Sequence, residues 1–564
     1  MKYTLVKVSF IVAVLLAVGV TVARGQTELQ TSAAEYRPPL TATPVITDPL
    51  SAQSRRVVLV ILSGLSDDFW TDESMPVLRQ LQETGAHATL MATPPTYRLA
   101  AWTALLSGAP PTLTDAPLFD VSDTAERPTA TDTIFDAAAD RSLTTALAGN
   151  SRWAALIPPG KVARTAFFGG FAADADAQVM AEVAQWVDDP EISLIVAQFS
   201  QIDAAADGGT NTAAYQSALN RTDAQLAELR RMLDLDTTTL IVTADYGQLA
   251  QGGHGGDDPA VVSLPLVMVG QGIVPGEYSA VSQNDIAPTV AALLGTRLPA
   301  ANQGRPLSEM LAITAADKAA AWRTLAQQRI AFVEQYAAAL GEPYTPPENL
   351  SKLDAFWAEK NYAGVTQLAA LLTAQADDDL AHLQQIKQLP AERIRLAIAL
   401  GIAVLLAGLA LWRRSPVWVE AIFSAAVAVL GYHGLYRLLK EPYSLSAVDN
   451  LLLFHRQVAT LTLAALAAGA MVFVVLLWLR QPVRWDEILL GGYELVLWTA
   501  LGFGVTVLLG YRQVGESITL FFPDVSVLFQ YLTGLWQVQW AIGGGLFAPF
   551  PVLLLSTGIR KMVK

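Results

Sequence analysis

The C-terminal region constrains this chain most. Five apolar stretches, at roughly 394–412, 417–436, 458–479, 487–510 and 535–557, are each long enough to cross a hydrocarbon core of about 30 Å. Inside lipid every backbone N–H and C=O must find its partner within the protein, so runs of this length are helices. Residues 391–564 are therefore expected to form an all-α transmembrane bundle of about five spans. With 564 residues, 52% of them hydrophobic and only 16% charged, the chain is too apolar for an ordinary soluble enzyme and too long for one domain. A formal net charge of -14 argues against a nucleic-acid partner, whose phosphates demand a basic face. The chain contains no Cys, which excludes disulfides, thiolate nucleophiles and cysteine metal sites without fixing the compartment.

Basic flanks orient the bundle. If the spans alternate, Arg413-Arg414, Arg480 with Arg484, and Arg560, Lys561 and Lys564 share one side with Lys2 and Lys7, and that side is cytoplasmic. Lys2 and Lys7 precede an apolar run from about Val8 to Ala23, so residues 1–26 read as a signal peptide or an N-terminal membrane anchor. Either reading exports the domain beyond it. Residues 27–54, rich in Thr, Ser, Pro and Ala, are expected to be a flexible linker. An Ala-, Gln- and Leu-rich region at 308–390, broken near Gly341-Glu342-Pro343 and Pro346-Pro347, reads as a helical stalk or cap.

Between them, at 55–307, strand-like apolar runs alternate with helical patterns, the signature of an α/β domain. The run VVLVIL, apolar on both faces, reads as a buried strand of a parallel sheet with Ser63-Gly64 at its carboxyl end. SLIVAQFSQID closes on Asp203, and TTTLIVTADYGQLAQGGHGG closes on Asp245 before a Gly-rich loop that carries His254. If the strands are parallel neighbours, Ser63, Asp203 and Asp245 meet in one crevice, where open α/β sheets place their chemistry. Carboxylates with an imidazole suggest a divalent cation. Each also has a plain alternative: an Asp at a strand end is often a helix cap, and His254 suits a turn.

The succession VVLVILSGLSDD, MPVLRQLQETGA, PPTYRLAAWTALLSGAPP, FSQIDAAADGG, ADYGQLAQGGHGG and NDIAPTVAALLG resembles the alkaline phosphatase superfamily, in particular its type I phosphodiesterase/nucleotide pyrophosphatase branch, over about Arg55 to Leu307. The resemblance implies a mostly parallel sheet with flanking helices, here followed by the stalk and the membrane bundle. A multi-span region after such an exported domain is also similar in architecture to the glycosylphosphatidylinositol ethanolamine-phosphate transferases.

That family uses two metal ions, usually zinc, to clamp a phosphate while a Ser or Thr attacks phosphorus. Several of its positions differ here. Ser63 stands at the first Asp ligand, Arg98 at the nucleophile, Asp207 at a His ligand and Tyr246 at another His, while Asp203, Asp245 and His254 match. A guanidinium cannot attack phosphorus, and its fixed charge suits the place of a missing cation. The other four His residues, His87, His382, His433 and His455, lie in no such motif. One ion held by Asp203, Asp207 and His254, with Asp245 nearby, is a residual option, the Asp-for-His exchange shifting preference from zinc toward calcium, magnesium or manganese. The rival is a metal-free crevice neutralised by Arg98. Thr96 and Ser63 are fallback nucleophiles without an evident activating base.

Two function classes emerge. One is a pseudoenzyme that binds an anionic or phosphate-bearing ligand, or another membrane or envelope protein, while anchored in membrane lipid. The alternative is an active metal-dependent phosphodiesterase or lipid or glycan headgroup phosphotransferase with an altered metal site. Within the spans, Glu494 is expected either to face a cavity or partner, or to sit near the interface by snorkelling or protonation. The segment SITLFFPDVSVLFQYLTGLW, interrupted by Pro523 and Asp524, is expected in the membrane interface.

Overall fold

A computed structural model describes residues 2–40, 46, 48–119, 127–170, 173–412, 415–439, 442–448, 451–480 and 482–562. Two compact units emerge: Ala34–Ile386 with Thr519–Phe522, and Met1–Ala33 with Lys387–Ile518 and Pro523–Lys564.

The first unit is built on a nine-stranded sheet. Its strands are β1 (Arg56–Leu62), β2 (Ala86–Met91), β3 (Thr144–Asn150), β4 (Arg164–Phe168), β5 (Ile192–Phe199), β6 (Thr238–Thr243), β7 (Ser263–Gly270), β8 (Gly276–Glu277) and β9 (Val281–Ser282). They run in the order β4-β3-β5-β1-β6-β7-β2-β8, with β9 also on β2. The strands from β4 to β6 are mutually parallel, and β7 is antiparallel to both its neighbours. Val57 to Leu62 are fully buried, as expected of a central strand covered on both faces. Because β1 lies between β5 and β6, the three carboxyl ends read from the sequence are adjacent.

Helices Ala315–Leu340, Leu350–Ala358 and the first half of Tyr362–Trp412 pack around a second apolar core that includes Ile330, Phe332, Val333, Leu353, Val365 and Leu372. The breaks at Gly341 and before Leu350 coincide with the expected ones. Arg329 is buried and pairs with Asp377 across this layer.

In the second unit, the described helices long and apolar enough to cross a membrane are Val6–Ala34, Trp418–Leu438, Leu451–Leu479 and Trp485–Val514, with a fifth if the pair Val525–Gly545 and Pro549–Ser556, bent by 47°, is one span. Three sequence boundaries shift. The N-terminal helix runs from Lys2 to Ala34, through the start of the expected linker. The stretch at 394–412 is no separate helix but the continuation of the 51-residue helix Tyr362–Trp412, which accommodates Pro390 inside it. The segment after Pro523 is also helical from Val525, because the Asp524 side chain accepts the N–H groups of Ser526 and Val527 and caps the helix. Arg413, Arg414 and Lys564, which bear on orientation, lie outside the described residues.

Candidate functional site

The crevice is assembled from the strand ends upward. After β1 the chain turns at Ser63-Gly64, and Gly64 is required there: its φ is +79°, and a Cβ would lie 2.8 Å from the Asp203 Cα. That close approach brings the β1 turn against the helix Gln201–Ala206 that follows β5 and carries Asp203. Beyond β2, helix Arg98–Ser107 sets Arg98 and Trp102 one turn apart on the same face, and both reach the strand ends.

Two carboxylates organise everything else. Arg98 Nη2 donates to Asp203 Oδ2 at 2.6 Å, and Gln248 Nε2 donates to Asp203 Oδ1 at 2.6 Å. Gln248 is itself fixed by the Gly253 N–H, 2.8 Å from its Oε1. Burial would push the Asp203 carboxyl up, but the Arg98 guanidinium, with His254 and the hydrogen bonds, outweighs it and holds the group below the ordinary range. Asp245 Oδ2 accepts from Ser63 Oγ at 2.6 Å and from Trp102 Nε1 at 2.7 Å, while Oδ1 accepts the N–H groups of Tyr246 (2.9 Å) and Gly64 (3.3 Å). Burial dominates here and pushes Asp245 up to about 6, with Asp203 adding to the rise and the Ser63 and Trp102 bonds opposing it. Gln198, near the end of β5, donates to Ser63 Oγ at 2.8 Å, and Trp102 stacks on Trp153 with centroids 4.0 Å apart.

His254 faces inward from its glycine loop. Its Nδ1 lies 3.1 Å from the Thr96 carbonyl oxygen, and its ring stacks on Tyr246 with centroids 4.0 Å apart. Thr96 Oγ1 accepts the Gly255 N–H at 3.0 Å and donates to the Gly256 carbonyl at 3.0 Å. Gly255 has φ +114°, and a Cβ there would fall 2.3 Å from the Tyr97 ring, so only glycine lets this loop close on the helix start. Asp207, at the end of its helix, is exposed.

These donors do not fit the two-metal centre that the resemblance implies. Both oxygens of Asp203 and of Asp245 are engaged by protein donors, and Arg98 brings a permanent cation within 2.6 Å of Asp203. Among the described residues, no group of three or more His, Asp and Glu side chains is disposed to hold a metal ion. Ser63, Arg98, Asp203, Asp245, Tyr246 and His254 do share the crevice, and Thr96 supports its loop. Sequence reasoning missed Gln198, Trp102 and Gln248. The signals lay in strand register, since Gln198 pairs opposite Ile61 beside the β1 end, and in helix spacing, since Trp102 follows Arg98 by four.

In the other unit, Glu494 is buried and has a partner. It accepts the backbone N–H of Ser415 and, at 2.5 Å, the Ser415 hydroxyl.

Residues 57–252 match the family model described as Type I phosphodiesterase / nucleotide pyrophosphatase. The segment is thus a phosphodiesterase/nucleotide pyrophosphatase-type domain, in a chain that also carries several apolar helices. Among curated proteins, the human GPI ethanolamine phosphate transferase 3, catalytic subunit, is 26% identical over 328 residues, covering 51% of this chain and 30% of its own length. GPI ethanolamine phosphate transferase 3 of Schizosaccharomyces pombe is 29% identical over 141 residues, covering 24% and 15%. The chain therefore spans about a third or less of the curated relatives it matches. Among solved structures, an alkaline phosphatase superfamily protein from Vibrio parahaemolyticus aligns with a TM-score of 0.37 at 15% identity, over 52% of this chain and 80% of that one. Human ectonucleotide pyrophosphatase / phosphodiesterase 5 aligns with a TM-score of 0.36 at 12% identity, over 43% and 95%. Of the two function classes drawn from the sequence, the names of the curated relatives fall on the side of the phosphotransferase.

Proposed function

We propose that this protein is a membrane-anchored relative of the ethanolamine-phosphate transferases whose extracytoplasmic crevice binds rather than turns over its ligand. The carrying observation is the Arg98–Asp203 ion pair at 2.6 Å. It sets a group with no nucleophilic lone pair at the position which the resemblance gives to the attacking hydroxyl, and it neutralises a carboxylate that would otherwise serve a metal. Of the nearby hydroxyls, Thr96 donates to a backbone carbonyl, and Ser63, which donates to the Asp245 carboxylate, has its own oxygen engaged by the Gln198 amide. Such a site serves as a rigid platform for an anionic or phosphate-bearing group, or for another envelope protein. The basic flanks support placing this domain outside and the C-terminus in the cytoplasm.

The second reading, an active headgroup phosphotransferase, is favoured by the relatives' names. Metal analysis of the purified full chain, with phosphodiester hydrolysis and ethanolamine-phosphate transfer measured on the same sample, separates the two. The binding reading expects less than a tenth of a metal equivalent and no turnover that Arg98→Ala reduces. Near-stoichiometric metal with turnover sinks it.

A further inference from the structure

The crevice is shut. Ser63, Arg98, Asp203, Asp245 and His254 are all buried, so nothing that binds there enters before part of its wall moves. Most of that wall is fixed. Ser63 and Asp245 lie just beyond the ends of β1 and β6, inside the sheet, and Asp203 sits on a helix that the Gly64 turn meets too closely to admit a Cβ. The remaining side is built differently. It consists of the glycine loop that carries His254, with positive φ at Gly252, Gly253 and Gly255, and of Tyr97, whose ring covers Gly255 and meets the His254 ring edge-on with centroids 5.8 Å apart. Such a loop has many conformations open to it once its neighbours withdraw, so whatever holds Tyr97 in place holds the crevice closed.

Other rings stand behind Tyr97. Phe119 lies 5.2 Å from it, Phe522 lies 6.0 Å from Phe119, and Tyr36 meets Phe522 edge-on at 5.5 Å, all between centroids. The far end of this series is anchored. The Tyr36 hydroxyl donates to the Thr112 carbonyl at 3.1 Å, and the Tyr36 carbonyl accepts from Arg127 Nη2 at 2.7 Å. Phe522 comes from elsewhere in the chain, the short connection between helices Trp485–Val514 and Val525–Gly545. Thr519–Phe522 nevertheless belongs to the first unit, whereas the chain on either side of it belongs to the second. Phe522 is buried there, and its neighbour Phe521 packs on the helical core that contains Leu113 and Leu372. Holding a connection in this way costs chain freedom, which the contacts between the rings must offset.

We infer that Phe522 is the latch of an autoinhibited crevice: seated against Phe119, it keeps Tyr97 down on the glycine loop, and its withdrawal with the connection that carries it exposes Arg98 and His254. The inference rests on the binding role proposed for the crevice, and two readouts on the full chain tell the two apart. Diethyl pyrocarbonate, which acylates accessible imidazoles, reports opening through the rate at which peptide mass mapping finds His254 modified, with the exposed His382 as internal reference. Radiolabelled inorganic phosphate in equilibrium dialysis reports binding. Phe522→Ala and Phe119→Ala, made separately so that failure of either to fold leaves the other, should each raise the His254 rate about tenfold relative to His382, as expected when a local opening is made easier. Because apparent affinity scales with the open fraction, the Kd for phosphate should fall by a similar factor, and adding Arg98→Ala should abolish that gain. Leu353→Ala, which empties a buried position of the helical core outside the ring series, should lower the melting temperature and change neither readout. An unchanged His254 rate in the ring variants, or an equal rise in Leu353→Ala, overturns the latch and leaves the binding role standing. A faster His254 with no gain in phosphate binding supports the latch and refutes the binding role.

Discussion

Replacing Arg98 by Met tests the crevice at its centre. The change keeps much of the side-chain volume and removes the guanidinium that sits 2.6 Å from Asp203, a residue with almost no solvent exposure. Gln248 remains on the other carboxylate oxygen, and a neutral amide cannot compensate a buried charge. Breaking one partner out of a buried pair costs about 3–5 kcal/mol, because the survivor is left charged and desolvated. In a unit of this size roughly 2 °C of melting temperature accompanies each kcal/mol, so a fall of about 6–10 °C is expected for the full chain.

The pH dependence supplies an independent sign. In the parent protein Asp203 is held below its ordinary value, so its contribution is present above an unfolded pKa of about 3.9 and is lost only as pH falls through the lower folded value. Without Arg98, burial is the dominant influence and the folded pKa rises above the unfolded one. The folded state then binds more protons than the unfolded chain, and stability falls as pH rises. The deficit of Arg98→Met should therefore be largest near pH 7 and shrink toward pH 4. Arg98→Met combined with Asp203→Asn should recover more than half of the loss at pH 7. A deficit under about 1 kcal/mol, or a double variant no better than the single one, would show that the pair does not organise the crevice.

Three further outcomes are expected. Asp245 is raised to about 6, above its unfolded value, so it contributes stability below about pH 4 that is lost as pH rises to 6, by about 3 kcal/mol; Asp245→Asn should flatten that part of the stability profile, and an unchanged slope would contradict the assignment. Ser63→Asp, Arg98→Thr, Asp207→His and Tyr246→His together rebuild the ligand set of the resemblance and should bind about two zinc ions where each single variant binds few, and metal content no higher than the parent's would break the mapping of these positions to one site. Cysteine labelling is clean in a chain without Cys: a membrane-impermeant thiol reagent should reach Leu439→Cys from outside intact cells but not Arg480→Cys, and the opposite pattern would invert the orientation.

How much of this was legible in the sequence depends on which interactions set each feature. The parallel core was plain because a strand covered on both faces must be apolar throughout, and Val57 to Leu62 advertise that in composition alone. The shared crevice followed from it, since Ser63, Asp203 and Asp245 all end strands whose order brings them side by side. The helix boundaries were less visible. Nothing in the sequence near Pro390 shows that neighbouring turns carry the helix through it, and the cap that starts the helix at Val525 depends on one carboxylate rotamer of Asp524.

The interior of the site was the least legible part, because its partners come from distant positions. Ser63 and Asp245 are 182 residues apart, and Arg98 and Asp203 are 105 apart. What composition offered instead was a constraint on charge. A crevice that retains Asp203 and Asp245 must neutralise or protonate them, and Tyr246 and Asp207 stand where the resemblance puts His ligands. The structure resolves the two carboxylates differently. Asp203 keeps its charge and takes a guanidinium, whereas Asp245, with only neutral donors around it, moves toward the neutral form. The two acids are thereby driven apart. That asymmetry follows from the donors each carboxylate meets, a guanidinium on Asp203 and hydroxyl, indole and backbone N–H groups on Asp245.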